Sequence, residues 1–178
     1  MKKTQESTIE IPEGINVEVI ENKVTLSKGN DSVSKQFKAR EIKISEKNNS
    51  IIIRTEKYSR RTKSSINAIY SHIKNMIEGL TKGYEYRLAI VYSHFPINVV
   101  VKGNIVEINN FTGEKRPRKA LIIGDTKVEV KGKEIIVTGK NKEQVGQTAA
   151  NMENATRIKD KDRRIFQDGI FIVSKNLR

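Results

Sequence analysis

The chain has 178 residues and a formal net charge of +13, with 34 lysines and arginines against 21 aspartates and glutamates. A charge excess of this size indicates a polyanionic partner, because it weakens the compact state by self-repulsion and mixed-sign surfaces keep proteins soluble at lower net charge. The absence of cysteine excludes disulfides, thiolate metal sites and cysteine nucleophiles.

The first part of the chain is predicted to form short strands. Over residues 8–55, apolar and polar residues alternate with period two, as they do in strands that bury one face. Turn residues, such as those at positions 12–14, separate the alternating segments. The predicted strands lie in the segments IEIPEGINVEVI, KVTLS, VSKQF, EIKIS and SIIIRT.

A helix is predicted to follow over residues 59–80. Its apolar residues recur three and four positions apart, which places them on one side of the helix. They are Ile66, Ile69, Ile73, Met76, Ile77 and Leu80. Gly83 is expected just past the C-terminal end. Arg60, Arg61 and Lys63 oppose the positive end of the helix dipole, so they face either an anionic neighbour or solvent.

The same order of elements then recurs. Strand-like segments come first, namely YEYRLAIVY, INVVV, NIVEI, KALIIG, TKVEV and EIIVTG. A second helix follows, which Asn141 can cap while Gln144 reaches back to complete a capping box. Val145, Ala149 and Met152 give this helix a narrow stripe of apolar residues, so it can lie close to a sheet.

This recurrence predicts an α+β fold of two tandem repeats, each a mostly antiparallel β-sheet packed against one α-helix. Residues 1–82 would form the N-terminal repeat and residues 83–178 the C-terminal repeat, which carries the basic loops. The dipeptide Asn-Val at position 16 returns at position 98, and Val24 returns as Val106. A chance similarity is the alternative, because alternating strands resemble one another by construction.

Two clusters of cations in the C-terminal repeat are the candidate binding residues. The first surrounds Pro117 and consists of Lys115, Arg116, Arg118 and Lys119. The second follows the second helix and consists of Arg157, Lys159, Lys161, Arg163 and Arg164. At the start of that helix, the expected companions of the second cluster are Lys140 and Lys142.

The composition of these clusters favours phosphate contacts. Arginine can bind a phosphate through two parallel hydrogen bonds, and a proline keeps the backbone extended so that side chains spread apart. Each cluster alone is compatible with a solvated loop, but two in one repeat favour a shared anionic surface. Phe111 and Phe166 lie near the clusters and either stack on bases or, as the more frequent case, pack in the core.

The sequence contains no catalytic constellation. His72 and His94 have neither a second histidine nor a carboxylate at ligand spacing, so both are expected to be structural. The segment TGKNK lacks the upstream glycine and the hydroxyl residue of a phosphate-binding loop. Asp160 and Asp162 lie between cations, where they are expected to tune the basic loop or cap a helical turn. We therefore predict a binding protein without enzymatic activity, cofactor or metal site.

No signal peptide or membrane span is expected either. The N-terminus begins with two lysines after the initial methionine but continues with polar residues, where a signal peptide would have an apolar segment. The most apolar run, residues 88–101, contains His94, Pro96 and Asn98 and is shorter than the ~20 residues of a spanning helix.

Two long segments carry a resemblance to a known family. NKEQVGQTAANMENATRIKDKDRRIFQDGIFIV is similar to the C-terminal signature of the large-subunit ribosomal protein six family, in its archaeal and eukaryotic form. That signature has a V-G-Q-x-A-A helix, a basic segment and an R-x-F-x-D-G-I ending. IKNMIEGLTKGYEYRLAIVYSHFPI resembles the family's inter-repeat segment, with its M-I-x-G-x-T-x-G core. The resemblance runs from about Ile9 to the end of the chain.

The resemblance implies two tandem α+β repeats and a structural role in the large subunit of the cytoplasmic ribosome. It implies binding to 23S-type rRNA beside the factor-binding region and the sarcin–ricin loop, mainly through the second repeat. Neighbouring ribosomal proteins are expected partners, and translation factors are candidates. The role of the family's basic segment is carried over to residues 157–164. Two other classes stay open: a protein that docks on another protein through a strand edge, and, less favoured, an RNA enzyme.

Overall fold

The computed structural model describes residues 5–39, 41–47, 49–57, 59–159, 161–162 and 164–177. The chain divides into two compact units, Met1–Lys82 and Gly83–Arg178. We call them unit 1 and unit 2. In the described residues, every strand pair of both units is antiparallel. No helix in this part of the chain has the length and apolar character needed to cross a bilayer.

Unit 1 consists of short strands and one long helix within its described residues. The strands are β1 (Gln5–Glu10), β2 (Asn16–Ile20), β3 (Lys23–Lys28), β4 (Asp31–Gln36), β5 (Ile42–Lys47) and β6 (Ser50–Thr55). They form two three-stranded sheets with the orders β1-β6-β5 and β2-β3-β4. The helix α1 (Arg60–Thr81) closes the core, in which Ile66 and Ile73 are fully buried.

The limits of α1 agree with the predicted helix because its end signals are local. Ser59 caps the helix, accepting a hydrogen bond from the Thr62 backbone N–H at 3.0 Å. The Thr62 hydroxyl accepts one from the Ser59 N–H at 2.8 Å, which completes a capping box that the sequence analysis did not predict. Gly83, just beyond the C-cap, adopts φ +78°, a conformation that glycine takes without a steric penalty.

Unit 2 repeats this plan and adds one strand. Its strands are β7 (Tyr84–Val91), β8 (Asn98–Lys102), β9 (Ile105–Asn109), β10 (Arg118–Leu121), β11 (Lys127–Lys131), β12 (Glu134–Gly139) and β13 (Gly169–Leu177). Its helix α2 spans Lys142–Ala155. The sheets have the orders β10-β9-β8 and β11-β12-β7-β13.

The sheet orders show the internal repeat directly. The order β7-β12-β11 corresponds to β1-β6-β5, and β8-β9-β10 corresponds to β2-β3-β4. The predicted α+β fold with two tandem repeats is therefore confirmed, although each repeat divides its strands between two sheets. Strand β13 extends the larger sheet of unit 2 along β7. The basic segment of residues 157–164 lies in the connection from α2 to this added strand.

The helix α2 packs through the predicted apolar stripe. Val145, Ala149 and Met152 are all fully buried, and the small side chains of Val145 and Ala149 allow the helix to approach the sheet closely. Asn141 caps the helix by accepting a hydrogen bond from the Glu143 N–H at 3.0 Å. The predicted capping box with Gln144 is wrong, since the Gln144 side chain packs against Gly124, where a Cβ would lie only 2.4 Å from it.

Candidate nucleic-acid interface

Arg118 joins the two basic segments of unit 2. It is the first residue of β10, and its Nη1 donates hydrogen bonds to the carbonyl oxygens of Ala155 at 2.9 Å and Arg157 at 3.4 Å. Carbonyls at the C-terminal end of a helix lack partners within the helix and carry partial negative charge, so a guanidinium suits them. This contact brings the loop of residues 114–117 beside the end of α2, where the second basic segment begins.

Two further donors of Arg118 are also used within unit 2. Its guanidinium pairs with both carboxylate oxygens of Glu114, at 2.6 Å from Nη2 and 2.9 Å from Nε. It also lies 4.4 Å from the centroid of the fully buried Phe111 ring. The hydrogen bond from Arg118 lowers the pKa of the Glu114 carboxyl. These contacts give Arg118 a positioning role, because it holds the two segments together, and its predicted rRNA contact stays a prediction.

The other cations of the first segment point outward. Lys115 and Arg116 are exposed in the loop before β10. Lys119 is exposed on the face of β10 opposite the buried Ala120, and its register partner is Glu107 on β9. The pKa of Glu107 is lowered mainly by its hydrogen bond to Lys102. Lys115, Arg116 and Lys119 therefore carry the positive charge of this segment into solvent.

The second segment combines exposed cations with contacts that fix its shape. Arg157 and Lys159 are exposed. Lys161 Nζ lies 4.1 Å from the centroid of the Phe166 ring, a cation–π contact. The Phe166 ring stacks on His94 at 4.7 Å between centroids. Phe166 therefore supports the loop, unlike Phe111, which is buried in the core as predicted.

Asp162 caps a turn within this segment, as expected. Its carbonyl oxygen accepts a hydrogen bond from the Phe166 N–H at 2.9 Å, and its Oδ1 accepts one from the Arg164 N–H at 2.9 Å. The Arg164 side chain forms an ion pair with Asp162 at 2.7 Å, which lowers the pKa of the Asp162 carboxyl. Such a solvent-exposed pair contributes little stability, so Arg164 can exchange the carboxylate for a phosphate. Asp160 and Arg163 lie outside the described residues.

Asp168 is a buried anchor that the sequence analysis missed. Its carboxylate is 2% exposed and accepts hydrogen bonds from the backbone N–H groups of Ser93 at 2.9 Å and His94 at 3.4 Å. His94 Nδ1 also lies 3.4 Å from its Oδ2, a contact that spacing along the sequence does not show. The partners are about 75 residues apart, and only the pairing of β13 with β7 brings them together.

The structure separates Lys140 and Lys142 from the second segment. Gly139, at the end of β12, pairs with Tyr84 at the start of β7, whereas Gly169 pairs with Val91 at the other end of that strand. The 14 residues of α2 give a length of roughly 20 Å between its two ends. Lys142 Nζ lies over the Tyr84 ring, 5.6 Å from its centroid. Their predicted companionship with residues 157–164 is therefore wrong.

One end of unit 2 thus concentrates exposed cations from both segments. We call this group the basic end, and it consists of Lys115, Arg116, Lys119, Arg157, Lys159, Lys161 and Arg164. In the described residues, no group of three or more histidine or acidic side chains is placed to hold a metal ion. The arrangement suits a polyanion with spaced charges, because the cations are held on a folded support and lose little freedom on binding.

Comparison with known proteins agrees with this plan. The family model described as "Ribosomal protein L6" matches residues 11–83 and 95–169, so one copy of the match falls on each unit. Similar curated proteins named "Large ribosomal subunit protein uL6" come from Methanobrevibacter smithii, Staphylothermus marinus and Haloarcula marismortui.

The likeness to these proteins extends over nearly the whole chain. The Methanobrevibacter protein is 46% identical, over 94% of this chain and 94% of its own length. The Staphylothermus protein is 51% identical, over 92% and 91%. The Haloarcula protein is 44% identical, over 94% and 94%. On the family match and these identities, the chain belongs to the ribosomal protein L6 family.

Proposed function

We propose that the chain is a structural constituent of the large subunit of the cytoplasmic ribosome and that its basic end binds 23S-type rRNA. The names of its relatives support the first part, since each is called a large ribosomal subunit protein. The second part rests on the cations of unit 2. The role is structural and involves no enzymatic turnover.

The observation that carries the proposal is the double link made by Arg118. One guanidinium ties the loop of residues 114–117 to the end of α2, so cations from two distant parts of the sequence share one surface. Because both segments are already held, binding costs little conformational entropy. Each phosphate that a lysine or arginine neutralises releases condensed counterions, which supplies the main driving force.

The net charge alone does not single out unit 2. Residues 1–82 contain 16 lysines and arginines against 10 acidic residues, and residues 83–178 contain 18 against 11. In unit 1, Arg60, Arg61 and Lys63 are exposed on the first turn of α1, and the exposed Lys38 lines the same pocket as Arg61. Unit 2 has the larger group, since its basic end carries seven exposed cations from two segments. We therefore assign the larger part of the RNA affinity to unit 2.

The resemblance to the family supports a finer location. We propose that the bound rRNA lies beside the factor-binding region and the sarcin–ricin loop. Neighbouring ribosomal proteins would be further partners, and translation factors are candidates for the same neighbourhood. Photocrosslinking of the chain in reconstituted large subunits tests this location, because the crosslinked nucleotides and proteins can be identified directly.

Salt dependence tests the phosphate mechanism. The dissociation constant of the purified chain for a large-subunit rRNA fragment is measured across a series of salt concentrations. The logarithm of the association constant should fall with the logarithm of salt, by roughly 0.9 for each phosphate contacted on duplex RNA, taking the B-DNA value as a guide, and less on single strands. An affinity that hardly changes between low and moderate salt would contradict the proposal. Cosedimentation with large subunits after a high-salt wash gives an independent check of assembly.

A further inference from the structure

A cleft of about 620 Å³ opens beside the basic end, between the last turn of α2 and the start of β13. The phosphate contacts proposed above leave its interior unused. Its shape is fixed by Thr156, whose Oγ1 accepts a hydrogen bond from the Ile170 N–H at 2.9 Å and so ties β13 to the end of the helix. The cleft therefore exists before any ligand arrives.

The sheet side of the cleft is apolar and open. Phe171 is 41% exposed and Val91 is 37% exposed, although large apolar side chains are usually buried. The Phe171 ring lies against Gly169, where a Cβ would come within 3.0 Å of the ring. Because Gly169 has no side chain, the Phe171 ring can lie in this position beside the cleft.

The helix side of the cleft carries polar groups suited to the edge of a flat ring. Glu153 and Asn154 line it from the last turn of α2, and Gln167 lines the cleft from the segment before β13. Asn154 and Gln167 are exposed. Glu153 Oε1 accepts a hydrogen bond from the Ile172 N–H at 3.3 Å, which directs this carboxylate along the wall. Amide and carboxylate groups can pair with the donors and acceptors of a base edge.

The charges decide which part of an RNA could enter. Glu153 and the buried Asp168 line the cleft, so a phosphate inside it would meet like charge. Arg157 also lines it and is exposed, so a phosphate can be held outside while a neutral group enters. A neutral aromatic ring attached to a polyanion is the occupant that fits both conditions.

We propose that this cleft takes one unpaired nucleobase of the bound RNA and stacks it on Phe171. The proposal rests on the proposed rRNA binding and adds to it a site for an unstacked base. Stacking of a base on an aromatic side chain tolerates different sequences, so the cleft recognises an unpaired nucleotide more than a particular base.

The test compares an RNA hairpin that carries one bulged nucleotide with the same hairpin without the bulge. The wild-type chain should bind the bulged RNA at least about fivefold more tightly, the lower end of the effect of one stacked base. Phe171→Leu keeps an apolar residue on this edge strand and should remove the preference without changing the salt dependence. Phe171→Tyr keeps the ring and should retain the preference.

Crosslinking gives a second readout that does not depend on affinity. With 5-iodouridine at the bulge, irradiation should crosslink the RNA to the peptide that contains Phe171, whereas the same nucleotide in a paired position should not. Equal binding of both hairpins by the wild-type chain, or an unchanged preference in Phe171→Leu, overturns the base site and would favour a protein segment as the occupant. If the RNA affinity of the wild-type chain and of both variants did not depend on salt, the proposed rRNA binding itself would be contradicted.

Discussion

Arg118 and Ala155 are 37 residues apart in the sequence, and a 2.9 Å hydrogen bond joins the guanidinium of one to the backbone carbonyl of the other. The bond connects the start of β10 to the end of α2. Arg118 also pairs with Glu114 through two further hydrogen bonds. The position of the loop of residues 114–117 therefore depends on Arg118, whose guanidinium binds groups of unit 2 itself.

Arg118→Lys tests this positioning role. A lysine keeps the charge but lacks the planar fork, so it cannot pair with Glu114 and reach the helix carbonyl together. We expect unit 2 to lose about 1–2 kcal/mol of stability, since hydrogen bonds to charged groups contribute on this scale. Urea-induced unfolding measures the change, and Arg116→Lys, an equal substitution at an exposed residue, is the control. If both variants are as stable as the wild-type chain, the link has no positioning role.

The pair of Arg118 and Glu114 also predicts a pH dependence. The hydrogen bond from Arg118 holds the pKa of the Glu114 carboxyl below its ordinary value of 4.5. A carboxyl with a lowered pKa in the folded state stabilises the fold above its unfolded-state pKa, and this contribution is lost as the pH falls through the folded-state pKa. We therefore expect the stability that Glu114 provides to disappear at acidic pH.

Thermal unfolding of the wild-type chain and of Glu114→Gln measures this effect. Glu107 and Asp162 also have lowered pKa values, so both proteins should lose stability in acid. The gap between their melting temperatures should be largest near neutral pH and should close as the pH falls through the lowered folded-state pKa of Glu114. A gap that stays constant over this range would show that the Glu114 carboxylate is not the cause.

Asp168→Ala should destabilise unit 2. The substitution removes the buried acceptor of the backbone N–H groups of Ser93 and His94, and because these two residues are exposed, water replaces part of the lost bonding, so the cost is about 1–2 kcal/mol. Asp168→Asn retains an acceptor oxygen and should cost less. Differential scanning calorimetry checks the order, with the exposed Asp125→Ala as control. Equal melting temperatures for all four proteins would exclude an anchoring role.

The two units should differ in their share of RNA binding. Arg163→Ala with Arg164→Ala should weaken binding to a large-subunit rRNA fragment more than Arg60→Ala with Arg61→Ala. Each double variant removes two adjacent positive charges, so the comparison separates position from net charge. Filter binding at one fixed salt concentration is sufficient. Equal losses in the two double variants would remove the claim that unit 2 dominates.

The features predicted well from the sequence are those with local signals. The helix α1 was placed within one residue at each end, because its apolar period and the flanking residues depend only on nearby positions. The stripe of α2 was likewise correct. The tandem repeat was visible because the order of elements recurs along the chain.

The features that the sequence did not reveal are relationships that only the folded chain creates. In the sequence, Arg118 is one of four neighbouring cations and nothing distinguishes it from the others. In the structure, it lies on the same side of β10 as the buried Ala120. Lys142 is only 15 residues before Arg157 in the sequence, but the intervening helix places the two at opposite ends of α2. Asp168 shows no local sign of its contact with His94. Strand register and helix direction determine where Arg118, Lys142 and Asp168 lie in the fold. Neither can be derived from the composition of the sequence.

The most direct test of the central claim compares two charge-matched variants in one salt titration. Lys115→Gln with Arg116→Gln changes the basic end, and Lys140→Gln with Lys142→Gln makes the same change in charge at the opposite end of α2. The first variant should reduce the slope of log affinity against log salt by up to about 1.8, from two lost phosphate contacts, and the second should leave it unchanged. Equal slopes in both variants and the wild-type chain, or a larger reduction in the second variant, would contradict the account.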